Sequence, residues 1–564
     1  MKSIYEQRPW IKEYPQGTPP DLQIPSDLSM VDAFNRATEK WADKTAIVFY
    51  GNKIKYRELR ERVDRLATAL SAMEIKKGDR VGMLLLNSPE YVISSFAVMK
   101  LGAIQTPISP VYVSSEIKHQ LADSGTETVI CQDILYEGLL KTGVNLKQII
   151  LTNIADSLPR LKRMLGTSIL RGVYQKMAAP APEIYNAEGI YRLHELIDKY
   201  PPNPPTIDIN VKEDVVMLPY TGGTTGAPKG VMITHHNIIS NQAQYAEVTK
   251  VLGSGQETVV GFMPFYHAAG GMSLFYVIFR GNTIVIVTTP DIDDILENIV
   301  RYNATYFISA PTMYEILKDY EKTDRVKWKK IKMIISGADS LNEFTARDWE
   351  ERTQSRITEG YGMTETTALT HFNVLGKERY GSIGVPMCNT DSAILDPEHD
   401  TYLPPGEIGE IVVSGPQITK GYWQKPDATR DCESVIEGQR WWRTGDLGRM
   451  DVDGYFYVYD RKRDLIKYKG LRVYAREVEE VLKDHPCIKE VGVVGVSDPM
   501  VGQNVKAVIV LESDARGKLS EGDIMEYCKD KLAPYKIPRI IEFVGEIPKT
   551  DIGKVSRREI RTEE

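Results

Sequence analysis

Eleven consecutive residues carry the densest chemical signal in the chain: Tyr220-Thr221-Gly222-Gly223-Thr224-Thr225-Gly226-Ala227-Pro228-Lys229-Gly230. Four glycines and three threonines leave backbone N–H groups and hydroxyls uncovered, and Lys229 adds a positive charge. Donors of that kind suit the oxygens of a polyphosphate. The common phosphate loop needs Gly-Lys-Ser/Thr opening a helix. Here Pro228 precedes the lysine and an apolar stretch follows, so that reading fails on spacing. Four further clusters come later. Glu359-Gly360-Tyr361-Gly362-Met363-Thr364-Glu365 sets a hydroxyl and a carboxylate behind two glycines. Trp442-Arg443-Thr444-Gly445-Asp446 ends on a carboxylate, and Asp460-Arg461-Lys462-Arg463-Asp464 leads into Lys469-Gly470-Leu471. Pro548-Lys549-Thr550-Asp551-Ile552-Gly553-Lys554 puts a lysine in a glycine-containing loop. His235-His236 has no carboxylate or cysteine partner nearby and reads as structural, with Asn237 as an N-cap for the next helix. No serine sits in a Gly-x-Ser-x-Gly elbow, which leaves an α/β-hydrolase unsupported.

The stretches between these clusters must position them. Strands are expected over 46–50, 80–86, 126–131, 215–218, 231–234 and 331–335, with helices over 56–73, 89–100 and 115–122. Apolar strands alternating with helices argue for parallel sheets covered on both faces. Beyond about residue 380 the pattern changes to short strands with glycine and proline turns, a small β subdomain. The last hundred residues read as a separate α+β unit, with strands over 465–468, 490–496, 506–511 and 539–544 and helices over 476–483 and 521–532. The expected class is therefore α/β: a large N-terminal body of layered α/β subdomains plus a small β subdomain, over 1–460. A small mobile α+β C-terminal domain follows over 461–564, joined at the charged run 460–464. Residues 155–206 read as a connector, and the first 25, with five prolines, as an extended arm.

Composition narrows the function classes. With 42% apolar and 26% charged residues in 564, the chain is neither disordered nor collagen-like. The net charge of −7 includes no dense basic run, which argues against nucleic acid as a partner. The five scattered cysteines form no zinc-type pair and suit a reducing compartment. No apolar run reaches the length of a membrane span, and the first ten residues lack the apolar core of a signal peptide. A cytoplasmic enzyme without an integral membrane segment is the expectation; a homodimer stays open.

In type and order the five clusters resemble the signature motifs of the AMP-forming adenylating enzymes: acyl-CoA synthetases, luciferases and peptide-synthetase adenylation domains. The matches span residues 220 to 554, and the upstream layout agrees in order and length. The resemblance, in its acyl-CoA synthetase branch, implies a carboxylate–CoA ligase working in two halves. A carboxylate attacks the α-phosphorus of ATP and pyrophosphate leaves; a thiol then attacks the acyl-adenylate and AMP leaves. An anion attacking a polyanion needs cations, Mg2+ and oriented donors. By resemblance, Thr221, Gly222, Gly223, Thr224, Thr225, Gly226 and Lys229 hold the β- and γ-phosphates. Thr364 bonds the α-phosphate and Glu365 holds Mg2+. Gly337-Ala338-Asp339 and Glu359-Gly360-Tyr361-Gly362 wall the adenine, with Tyr361 stacked on the base. Asp446 and Arg461 take the ribose, and Lys554 bridges carboxylate and α-phosphate. Arg463 occupies the hinge position about which the C-terminal domain rotates. That rotation brings in Lys469, Gly470 and Leu471, where a larger side chain at 470 would block the pantetheine of CoA.

The acceptor is expected to be free CoA, since no carrier segment follows Lys554. The acid is expected to be a short or medium-chain fatty acid, butyrate and longer. Gly362 stands where acetate-specific relatives carry tryptophan, which would open the pocket floor. Tyr266, His267 and Trp423 are further acyl-pocket candidates. A short hydroxy acid such as 4-hydroxybutyrate, a long-chain acid, an aryl acid, or loading of a separate carrier protein remain alternatives.

Overall fold

The structure is a computed structural model that describes residues 4–158, 187–221, 227–513, 515–549 and 555–562. Contacts divide the chain into two compact units. One comprises Trp10–Asp391 and Ser414–Glu433; the other comprises the first nine residues, Ser392–Val413 and Ser434–Glu564.

The larger unit holds three sheets among the described residues, of nine, seven and two strands. In the nine-stranded sheet, Thr358–Tyr361, Met333–Ser336, Tyr306–Ser309, Thr258–Gly261, Thr283–Ile286 and Thr45–Phe49 lie side by side and parallel. Short antiparallel strands close both flanks. The seven-stranded sheet is parallel from Val215–Met217 to Ile190–Arg192, with Ile233–Thr234 antiparallel at its edge. Ile190–Arg192 lies in the region expected to be a plain connector, and it extends this sheet. Strand Thr128–Gln132 is buried at every residue, as strands covered on both faces must be.

Helices from the two sheets meet in a common core. Helix Pro89–Lys100, capped by the Ser88 hydroxyl and opened by proline, is buried along its whole length. Its Phe96 stacks on Phe34 at 4.2 Å and meets Phe275 of helix Ala268–Phe279 at 5.7 Å. Helix His235–Val248 starts differently from the sequence expectation: Thr234 is the N-cap, and Asn237 returns a hydrogen bond to the Thr234 N–H from the third helical position. His235 is buried, and its Nδ1 accepts the Met30 N–H at 3.2 Å, so it is structural as read.

The smaller unit also holds two sheets among the described residues. The β subdomain is built from Asp391–Leu395, Gly409–Ser414, Gln439–Met450, Glu433–Ile436 and Phe456–Arg461. The α+β part pairs Ile488–Asp498 with Gly502–Leu511 over ten residues, under helices Ala475–Lys483 and Glu521–Lys529. Segment 460–464 is fastened within this unit by the guanidinium of Arg557. It donates to both oxygens of Glu479 at 2.9 and 2.6 Å, to Asp460 at 2.9 Å and to Asp464 at 3.2 Å. Arg561 adds a second bond to Asp464 at 2.9 Å.

Three carboxylates sharing one guanidinium, all mostly withdrawn from water, are costly to leave half-assembled. Removing one partner of a buried ion cluster costs about 3–5 kcal/mol. Arg557→Ala is therefore expected to lower the unfolding free energy of this unit by about 3 kcal/mol, read by guanidinium denaturation. A change within about 0.5 kcal/mol, the range of ordinary surface substitutions, would show the cluster to be ornamental.

Candidate active site

The parallel register decides where the candidate residues emerge. Ile335 pairs with Thr358 and Ser336 with Glu359, so Gly337-Ala338-Asp339 and Tyr361-Gly362 leave neighbouring strands at the same carboxyl edge. Ligands bind at that edge in open parallel sheets. Met263–His267 leaves the same edge after Thr258–Gly261. The Gly337 N–H bonds the Ser309 carbonyl at 3.1 Å, and Ala338 turns with φ +71°. Tyr361 is half-buried with its ring against His371.

Thr364 and Glu365 sit in a single helical turn, Thr364–Thr366. The Met363 N–H is held by the Thr366 hydroxyl at 3.0 Å, and Thr367 and Ala368 then take left-handed φ of 58° and 104°. This reversal lays the Ala368 carbonyl on Gly362. A β-carbon at 362 would stand 1.5 Å from that oxygen, so the backbone itself demands glycine there. Glu365 is buried, and its Oε1 accepts the Tyr422 hydroxyl at 2.7 Å. Burial first, and then the Glu365 charge, push the Tyr422 phenol well up, which keeps it a donor.

The glycine-threonine segment is bounded by a small hairpin, Thr221 opposite Lys229 and Tyr220 opposite Gly230. Gly222, Gly223, Thr224, Thr225 and Gly226 lie outside the described residues. The Tyr220 hydroxyl donates to Asp123 Oδ2 at 2.8 Å, and Lys425 reaches the other oxygen at 2.5 Å. Lys229 stands 5.0 Å from the centre of the Tyr422 ring. The Trp423 N–H bonds the Gly230 carbonyl at 2.8 Å, while its indole N–H is buried without a partner among the described residues. His267 caps helix Ala268–Phe279, its Nδ1 accepting the Ala269 N–H at 3.4 Å, and Tyr266 beside it is half-buried. Asn87 clamps this loop from both sides, donating to the Met263 carbonyl and accepting the Phe265 N–H, each at 2.9 Å.

In the smaller unit Asp446 is 3% exposed, and its Oδ1 meets Arg461 Nε at 2.8 Å on the neighbouring strand. The salt-bridge partner of Arg461 is thus the other ribose candidate. Asp460 accepts the Arg461 backbone N–H at 2.8 Å and the Arg476 N–H at 3.0 Å, and its carboxylate also meets Arg557. Arg463 is exposed, 3.7 Å from Asp464. Lys469 and Gly470 are the two central residues of a hairpin turn between Tyr468 and Leu471, with φ of 49° and 80°. Positive φ at both positions is the geometry of a tight type I′ turn. Leu471 is half exposed, and nothing lies within 4 Å of a β-carbon placed on Gly470. Lys554 lies outside the described residues.

No group of three or more metal-ligating side chains gathers among the described residues. A Mg2+ that arrives on a polyphosphate needs only one or two protein carboxylates beside water and phosphate oxygens. Glu365, oriented by Tyr422 next to the Thr364 hydroxyl, fits that donor set; when bound, the cation would offset phosphate charge.

Four residues of this arrangement carry no sequence signal: Asn87, Asp123, Tyr422 and Lys425. Each is far along the chain from the group it holds, and no local spacing announces it.

The AMP-binding enzyme family matches residues 34–423, and the AMP-binding enzyme C-terminal domain matches residues 477–554. A long-chain-fatty-acid–CoA ligase of Bacillus subtilis (strain 168) is 36% identical over 100% of this chain and 99% of that protein. A feruloyl-CoA synthase of an Amycolatopsis species is 32% identical over 92% of this chain and 95% of its own. Among solved structures, ATP-bound MatB from Rhodopseudomonas palustris superposes with a TM-score of 0.80 at 26% identity, covering 95% of this chain and 99% of that one.

Beside this site, burial pushes His371 down to about 3 and, elsewhere in the unit, His235 down to about 4. In the unfolded chain both titrate near about 6.5. Their stabilisation is full above that pH and is lost as pH falls toward the folded values, because the unfolded state takes up protons first. His371→Asn, which cannot protonate, is expected to flatten the fall in unfolding free energy between about pH 6.5 and 4. An unchanged slope in denaturation curves would exclude a neutral buried His371.

Proposed function

The chain belongs to the AMP-binding enzyme family and is an AMP-forming acyl-CoA ligase acting through an acyl-adenylate; within that chemistry we propose that its acid is a fatty acid, from butyrate through medium to long chains. The observation behind the acid is the 36% identity, end to end, with a ligase named for long-chain fatty acids. It extends the range suggested by sequence alone. Gly362 no longer argues for chain length, because the turn requires it whatever the pocket holds. An aryl acid is the second reading, favoured by the feruloyl-CoA synthase at 32% identity.

In this proposal the hairpin-bounded loop with Lys229 binds the β- and γ-phosphates, and Thr364 the α-phosphate. Gly337 to Asp339 and Glu359 to Gly362 flank the base, and Asp446 with Arg461 accepts the ribose. Lys554 approaches the carboxylate and α-phosphate as charge builds between them. Residues 461–564 then rotate about 460–463, with Arg463 at the pivot, and present the Lys469-Gly470 turn to the CoA thiol. Mg2+ accompanies ATP, and the compartment is the cytoplasm.

The test is ATP–pyrophosphate exchange across straight-chain, hydroxylated and aromatic acids, followed by CoA addition. Exchange is expected to strengthen with chain length, since one methylene contributes about 1–3 kcal/mol of discrimination in an apolar pocket. Exchange confined to aryl acids would replace the fatty-acid reading with the second one. Lys554→Ala is expected to abolish exchange and to leave CoA attack on supplied acyl-AMP largely intact. At 470 the left-handed φ strains most side chains, so the informative variant is Gly470→Asn, because asparagine tolerates that conformation. It is expected to retain exchange and lose thioester formation. Equal loss of both halves would reduce Gly470 to a turn residue.

A further inference from the structure

Tyr422 stands where two parts of the nucleotide site meet. Its backbone bridges Val231, one residue beyond the hairpin that carries Lys229. Its hydroxyl donates to Glu365 Oε1 at 2.7 Å, and the Lys229 ammonium lies 5.0 Å from the centre of its ring. The residue is 7% exposed. It cannot drift from this position: its N–H bonds the Thr429 hydroxyl at 2.9 Å, and the Thr419 N–H bonds the Glu365 carbonyl at 2.8 Å.

A lysine and a glutamate beside one polyphosphate site face a shared hazard. Opposite charges in a partly dry pocket attract strongly and would pair with each other, taking both away from the ligand. An aromatic ring resolves this with two different surfaces. Its face attracts a cation, and a phenolic O–H on its edge satisfies an anion. Tyr422 thus gives each charge a contact weaker than an ionic ligand group would. Holding both side chains in one rotamer also removes ordering entropy from the binding step.

We propose that Tyr422 is a positioning residue that seats Glu365 and Lys229 separately, for the cation and the phosphates of the incoming nucleotide. The inference rests on the ATP-dependent reading above and names a residue on which that reading's geometry depends.

The experiment is calorimetric titration of ATP over a Mg2+ series, with the full chain as wild type, Tyr422→Phe, Glu365→Gln and the double variant. Tyr422→Phe keeps the ring face and loses only the O–H. The Mg2+ concentration for half-maximal nucleotide affinity is expected to rise about tenfold, the size of one hydrogen bond to a charged group. Affinity at saturating Mg2+ should stay within about twofold, and in the Glu365→Gln background the added Tyr422→Phe should change nothing further. An unchanged Mg2+ midpoint, or additive effects of the two substitutions, overturns the proposal. Loss of cooperative thermal unfolding in Tyr422→Phe also overturns it, because Tyr422 would then be a packing residue. A wild-type chain that binds no Mg·ATP would instead overturn the ATP-dependent reading itself.

Discussion

Parallel strands share a direction, and their carboxyl ends therefore share an edge; the larger unit is organised around that constraint. Four adjacent strands, from Thr258–Gly261 to Thr358–Tyr361, deliver their following loops to one side. The aromatic core behind them keeps the strands in order. Phe307, Tyr314, Trp328 and Trp349 pack edge to face, and the Tyr314 hydroxyl bonds the Ile335 carbonyl at 2.6 Å, one residue from the strand's end. Packing in the interior thus fixes how far each loop projects.

Charge is handled differently at the candidate binding positions and at positions that only hold. The Arg557 cluster is closed: the arginine side chain is 17% exposed and its three carboxylates are each nearly dry. Nothing can enter without breaking it, which suits a fastening. Asp446 and Arg461 form an open pair instead, with the carboxylate buried and the guanidinium 41% exposed. Glu365 and Lys229 share an uncharged tyrosine. A ligand can displace or extend such partners at small cost. The net charge of −7 is therefore no obstacle to anionic ligands, because local pairing sets the potential at each site.

Most of the architecture was legible because it follows from local periodicity. The helix at Pro89–Lys100 falls at its expected residues, and every strand and helix expected in the last hundred residues is present within a few positions. Proline, serine and glycine at element ends carry that information themselves. The nucleotide-site motifs were legible for a related reason: each is a contiguous run of distinctive residue types over five to eleven positions. What could not be read is what joins them. Tyr422 lies 57 residues from Glu365, and Asp123 lies 97 from Tyr220 and 302 from Lys425. Contacts of that separation are set by the sheet topology, and no spacing rule along the chain encodes them. The helix start at Thr234 was missed for a smaller reason. Threonine and asparagine are both good caps, and only the reciprocal bond between them shows which one is first.

The two motif glycines sharpen what a signature can and cannot say about substrate. At Gly362 a β-carbon would fall on the Ala368 carbonyl; at Gly470 the surroundings are open but φ is +80°. The first glycine is required by a close approach and the second by a left-handed turn. Both requirements belong to the backbone path that presents Thr364 and Glu365, or Lys469. A glycine at that first site consequently reports the shape of the turn before it reports the depth of a pocket. Specificity for the acid has to be sought in residues that can change without moving the backbone. Helix Ala268–Phe279, buried and apolar nearly throughout, begins at the same sheet edge and offers such positions.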